Sequence, residues 1–155
     1  MTYIDQDLTT QVFYRTTFTS EDDTVFLHYV FCSFGPCIDG FKYCKPVISI
    51  DGTHLYDKYQ GKLLVAMATD ANNKVFPLAF AIVDCESGSS WRWFLQYLRD
   101  TIGHVILDEG ICIISVSKTP LQTGLEGMME EHEYFIDIAF DMLLAISTHI
   151  FRTRL

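Results

Sequence analysis

Basic residues are scarce in this chain. Against 20 aspartates and glutamates stand 11 lysines and arginines, a formal charge of −9, which argues against a generic basic surface for nucleic acid. No apolar run reaches the roughly eighteen residues that a membrane-spanning helix needs. The opening Met1-Thr2-Tyr3-Ile4-Asp5 lacks both the basic start and the apolar core of a secretory signal, so no membrane partner is expected. Cysteine pairs are missing too. Cys32, Cys37, Cys44, Cys85 and Cys112 are odd in number and show no paired spacing, which reads as free, mostly buried thiols in a reducing compartment. Cys32, Cys37 and Cys44 as zinc ligands would be a sharper reading, but they lack a close CxxC or HxxxH pair. Internal repeats and low-complexity tracts are absent.

What is present describes one ordinary globular domain. The 155 residues are 49% hydrophobic, 14% aromatic and 20% charged, against the composition of disorder. A chain of this length buries about two-thirds of its unfolded surface on folding. The charge is unevenly spread: six acids and one base in residues 1–40, six acids and seven bases in 41–104, eight acids and three bases in 105–155. A nearly neutral centre lies between two acidic flanks.

Residues 1–24 read as a polar, Thr-rich and acidic lead-in, extended or mobile. Val25 to Phe34 is apolar and fits either a short helix or a buried strand, since periodicity alone does not separate them. Pro46–Asp51, Gly61–Thr69 and Val75–Val83 are three apolar, partly β-branched runs, and Asp70-Ala71-Asn72-Asn73-Lys74 supplies turn residues between the last two. Pro77 marks an edge or a bulge. The spacing predicts an antiparallel meander, and such unbroken apolar strands predict a sheet covered on both faces. A helix follows, capped by Ser89 or Ser90 and stopped by Gly103, with Trp91, Phe94, Leu95, Leu98 and Ile102 on one face. Ile111–Val116 is a fourth strand, and a long helix is expected from about 125 to 150. The β-β-β-α-β order, with Asp51 closing the first strand, is how ribonuclease H-like domains begin.

Specific blocks sharpen that likeness. Phe34-Gly35-Pro36-Cys37, Gly40-Phe41-Lys42-Tyr43-Cys44, Pro46-Val47-Ile48-Ser49-Ile50-Asp51-Gly52-Thr53-His54-Leu55 and Gly61-Lys62-Leu63-Leu64 come in order. Ala68-Thr69-Asp70-Ala71-Asn72-Asn73, Pro77-Leu78-Ala79-Phe80-Ala81-Ile82-Val83 and Ser90-Trp91-Arg92-Trp93-Phe94 follow them. Together they resemble the start of the catalytic domain of plant Mutator-like element (MULE) transposases, over roughly residues 25–116. The resemblance implies an α/β chain with a truncated ribonuclease H-like fold, a β-β-β-α-β core followed by a C-terminal helix, leaving 117–155 as a divergent, helical tail. It also implies an ancestral Asp-Asp-Glu triad that cuts and rejoins DNA at element ends with Mg2+ or Mn2+.

Such chemistry needs hard cations held by carboxylates, one activating the nucleophile and one steadying the leaving oxygen. By the resemblance the first acid is Asp51. The second follows an Ile-Ile-Ser tripeptide in the family; here Ile113-Ile114-Ser115 is followed by Val116. The third, a glutamate on a later helix, would lie beyond Leu155. Asp51 is thus the one surviving triad member and the one candidate metal ligand. The expectation is a catalytically silent transposase fragment that binds no metal productively, or alternatively a non-catalytic protein-interaction module derived from a transposase.

Plainer readings stand beside these. Asp51 could simply start a turn at Gly52, and His54 could be a turn histidine rather than a metal neighbour. Asp70 and Asp84 suit a hairpin turn and a strand–helix connection. Trp91 belongs to the apolar stripe; Trp93 is open to either core packing or base stacking. Glu126, Glu130, Glu133, Asp137 and Asp141 step by three or four, which reads as the solvated face of the expected helix rather than a substitute catalytic acid. The thin supply of Lys42, Lys45, Lys58, Lys62, Lys74, Arg92 and Arg99 predicts weak, salt-dependent DNA binding. Self-association or a protein partner is expected from exposed sheet edge, and the family implies the nucleus.

Overall fold

The fold is that of a computed structural model, and it describes residues 10–19, 24–56, 61–105, 111–115 and 136–140. The chain is mixed α/β: strands β1 (Gln11–Thr19), β2 (Thr24–Ser33), β3 (Cys44–Leu55), β4 (Gly61–Asp70), β5 (Val75–Val83), β6 (Ile111–Ser115) and β7 (Ile136–Phe140), with helices α1 (Gly35–Gly40) and α2 (Gly88–Ile102). The described strands form one sheet in the order β1-β2-β5-β4-β3-β6-β7.

The meander β3-β4-β5 forms as the sequence predicts, antiparallel throughout. Its tight connection is set by Asp70, whose Oδ1 accepts the backbone N–H groups of Asn72 and Lys74, both at 2.8 Å. Asn73 takes the left-handed conformation, φ 62°, which asparagine tolerates better than most residues. Pro77 pairs with Met67 where the β4–β5 register slips, so the missing N–H falls at a bulge and not at an edge. β6 joins β3 on its other side in parallel, Val47 opposite Cys112 through Ile50 opposite Ser115.

Residues alternate across each strand, and one face carries the core. Ile48 and Ile50, Leu64, Ala66 and Ala68, Ala79, Ala81 and Val83, and Phe31 are all buried there. Against them lie Trp91, Phe94, Leu95, Leu98 and Ile102 of α2, each buried, the stripe that the 3.6-residue period predicts. Small residues on β4 and β5 let the large rings of α2 approach. The second face differs from the expected double cover: Leu63, Val65 and Met67 stay half-buried and Ile82 is 49% exposed.

One open reading is decided and three further expectations are corrected. Val25–Phe34 resolves as strand β2 up to Ser33, and part of the supposed lead-in is strand β1, paired with β2 from Gln11 opposite Ser33 to Thr19 opposite Thr24. The cap of α2 is Ser87, whose Oγ accepts from the Ser90 N–H at 3.2 Å while the Ser90 hydroxyl receives the Ser87 N–H at 2.9 Å. β3 does not close at Asp51 but runs four residues further, because its pairing with β4 continues to Leu55 opposite Gly61. The long helix expected from 125 to 150 gives way at 136–140 to β7, which pairs in parallel with β6. There Ile136, Ile138 and Phe140 alternate with Asp137 and Ala139, a two-residue period inside what read as a helical one. The remainder of that expected helix lies outside the described residues.

Candidate functional site

Asp51 sits on β3 just past the end of the parallel β3–β6 register. Ile50 faces the core, so Asp51 faces the opposite side of the sheet and is exposed. Its Oδ1 accepts the N–H of Gly52 at 2.8 Å, the local bond of a turn-forming aspartate, made here inside a strand that continues. Ser115, opposite Ile50, is buried at the last described position of β6. Val116 lies outside the described residues.

Gly52 faces the core side, where a carboxylate crowds it. A Cβ at Gly52 would stand 3.2 Å from the Glu86 carboxyl carbon. Glu86 Oε1 accepts from the indole N–H of the buried Trp91 at 3.2 Å, and Oε2 lies 3.5 Å from Lys62 Nζ. Both side chains are mostly buried, at 15% and 18% exposure. Lys62 Nζ also reaches His54 Nε2 at 2.6 Å, and the His54 ring stacks on Tyr56, 5.6 Å between centroids. With the ammonium as donor, the Nε2 lone pair of His54 is taken, so His54 as placed offers no atom to a metal on that side. Glu86 and Lys62 carry no mark in the sequence: one lies in a connection, the other on a strand. Only the packing of the β3 end, β4 and the start of α2 joins them.

The other candidates are placed as follows. Asp84 bonds His28 Nδ1 at 2.6 Å where β5 leads to α2. Trp91 is fully buried. Trp93 is half-buried between Tyr29 and Tyr97, with ring centroids 5.2 and 5.0 Å away, so much of its surface is spent on packing. Asp137 falls in β7, opposite Cys112, and Glu126, Glu130, Glu133 and Asp141 lie outside the described residues. All five cysteines are free. Burial pushes the thiols of Cys32, Cys37 and Cys44 above their ordinary value; Cys37 adds to the shift at Cys32 and Asp70 to that at Cys44. Among the described residues no three His, Cys, Asp or Glu side chains gather as a metal site, and no helix is long and apolar enough to cross a membrane.

A family model described as the MULE transposase domain matches residues 47–135. The match opens on β3, takes in β4, β5, α2 and β6, and runs past Val116, so it starts later and ends later than the blocks quoted from the sequence. No curated protein and no solved structure matches the chain.

Proposed function

Because the chain belongs to the MULE transposase domain family, we propose that it is a transposase-derived domain that keeps a ribonuclease H-like scaffold and has lost strand cleavage. The scaffold reading is supported by a three-stranded meander, a covering helix and a strand that returns parallel to the first. One observation carries the loss of activity. Ser115 is registered opposite Ile50, so the residue that follows on β3 is Asp51 and the residue that follows Ser115 in the chain is Val116. The family pattern has an acid at that second place.

A divalent cation in such a site would polarise the scissile phosphate and activate the attacking oxygen. The residues here do not fit it. Asp51 supplies one carboxylate, valine supplies no donor atom, and Glu86 is turned to Trp91 and Lys62 on the core side of Gly52. No cleavage step follows from this set. DNA contact is weak for a related reason: the net charge is −9, and of the seven central bases Lys62 is engaged by Glu86, Lys45 by Asn73 and Arg99 by Asp100. The compartment proposed from the family is the nucleus.

Incubation of the purified chain with supercoiled plasmid and Mg2+ or Mn2+ tests the proposal. The expected result is no nicking above buffer; nicking that disappears in Asp51→Ala overturns it. A second reading, a non-catalytic interaction module, is favoured by three consecutive exposed apolar residues on β2, Val25, Phe26 and Leu27.

A further inference from the structure

The sequence holds two Asp-Gly pairs, Asp39-Gly40 and Asp51-Gly52. Such a pair can isomerise without an enzyme, because glycine has no side chain to keep its amide nitrogen from the aspartate carboxyl. The fold treats the two pairs differently. At Asp51 the carboxyl already meets that amide. Its Oδ1 accepts the Gly52 N–H at 2.8 Å, and the carbon to be attacked, Cγ, is one bond beyond that oxygen. Holding reacting groups together lowers the barrier to their joining. Glu86 closes off the core side of Gly52, but Asp51 is exposed on the other side. The β3–β6 register ends at Ile50 opposite Ser115. From Asp51 onward β3 therefore has β4 alone beside it among the described residues, and a backbone held on one side opens more easily. Asp39 lies in α1, where each Cα–Cβ bond tilts toward the helix N-terminus, away from the next amide. The Phe76 ring lies over Gly40, its Cζ 2.5 Å from where a Cβ would stand.

We propose that Asp51-Gly52 is a site of spontaneous isoaspartate formation, and that the fold protects Asp39-Gly40. The Gly52 nitrogen bonds to Asp51 Cγ and one Cγ–O bond breaks. That oxygen leaves as water, taking the amide proton and a second proton from solvent, and a cyclic imide remains. Water then opens the ring, returning one hydrogen to the nitrogen and one to solvent. Opening at Cγ restores aspartate. Opening at the main-chain carbonyl carbon breaks the original peptide bond and leaves the chain running through Cγ. That product has the composition of the starting chain, but one more carbon in its backbone and its free carboxylate where the main-chain carbonyl stood. The extra atom would offset Gly52–Leu55 from their partners on β4. This chemistry needs no metal, and it holds whether or not the chain descends from a transposase.

The purified full chain, kept for weeks in warm neutral buffer, tests the proposal. Trypsin places Asp39 and Asp51 on different peptides, since Lys42 lies between them, and electron-transfer fragmentation distinguishes isoaspartate from aspartate. The folded chain is expected to accumulate isoaspartate at Asp51 several-fold faster than at Asp39. In guanidinium chloride, which unfolds both sites, the two rates should converge. Asp51→Glu, whose longer side chain does not close the same ring, should remove the signal at that position. Isoaspartate forming at Asp39 as fast as at Asp51 in the folded chain overturns the proposal, and so does its absence from Asp51. A lead for Asp51 that persists undiminished in denaturant overturns it too, because the flanking residues and not the fold would then set it.

Discussion

Glu86 is a carboxylate on which three elements converge, β3, β4 and α2. It fills the space a side chain at Gly52 would need, accepts the indole N–H of a fully buried tryptophan, and neutralises a lysine on β4. Removing one partner from such a cluster costs more than the interaction itself contributes, because the remaining polar groups stay out of water. Glu86→Ala should therefore lower stability by about 1–3 kcal/mol, read as the midpoint of urea unfolding. Glu86→Gln keeps an acceptor for Trp91 and should lose clearly less. Equal losses would mean that the charge, and not the hydrogen bond, holds the cluster. The sequence hides this residue because Asp84-Cys85-Glu86-Ser87 reads only as a connection. Its role comes from residues 34 positions upstream and five downstream that meet only in the fold. Asp51 stands out in the sequence by contrast, since Ile-Asp-Gly follows a β-branched run, although the strand that reads as ending there continues to Leu55.

At the scale of elements, α2 shows what pattern can and cannot supply. Its buried stripe follows from spacing alone. Its start does not, since Ser87, Ser89 and Ser90 are all competent caps. The structure separates them: Ser87 and Ser90 exchange two bonds, a capping box with serine where glutamate is usual, while Ser89 touches the Ser87 hydroxyl and is exposed. Ser87→Ala should cost about 1 kcal/mol and Ser89→Ala a few tenths, compared by thermal unfolding. Similar losses from both would argue against the box. β1 escaped the sequence for another reason. Val12-Phe13-Tyr14 is apolar without alternation and Thr16–Thr19 is largely polar, so only pairing with β2 makes it a strand. β7 is five residues long, and a short element embedded in a longer helical period is decided by its neighbour β6 and not by its own sequence.

The whole molecule puts the metal question in thermodynamic form. A cation that binds only the native state stabilises it in proportion to the logarithm of its concentration over its dissociation constant, about 2.7 kcal/mol at a hundredfold excess. For a chain near 150 residues each kcal/mol moves the melting temperature by about 2–4 °C, so an intact carboxylate site would announce itself by a rise of several degrees. The net charge of −9 complicates the reading, because any salt screens the self-repulsion of an acidic chain and lifts its stability without a site. The informative comparison is therefore about 10 mM MgCl2 against NaCl of equal ionic strength. With Val116 following Ser115 in the chain where the family pattern has an acid, wild type and Asp51→Asn should melt together in both salts, within about a degree. A rise specific to magnesium, present in the wild type and gone in Asp51→Asn, would mean that other oxygens complete the site and that the silent-enzyme reading is wrong.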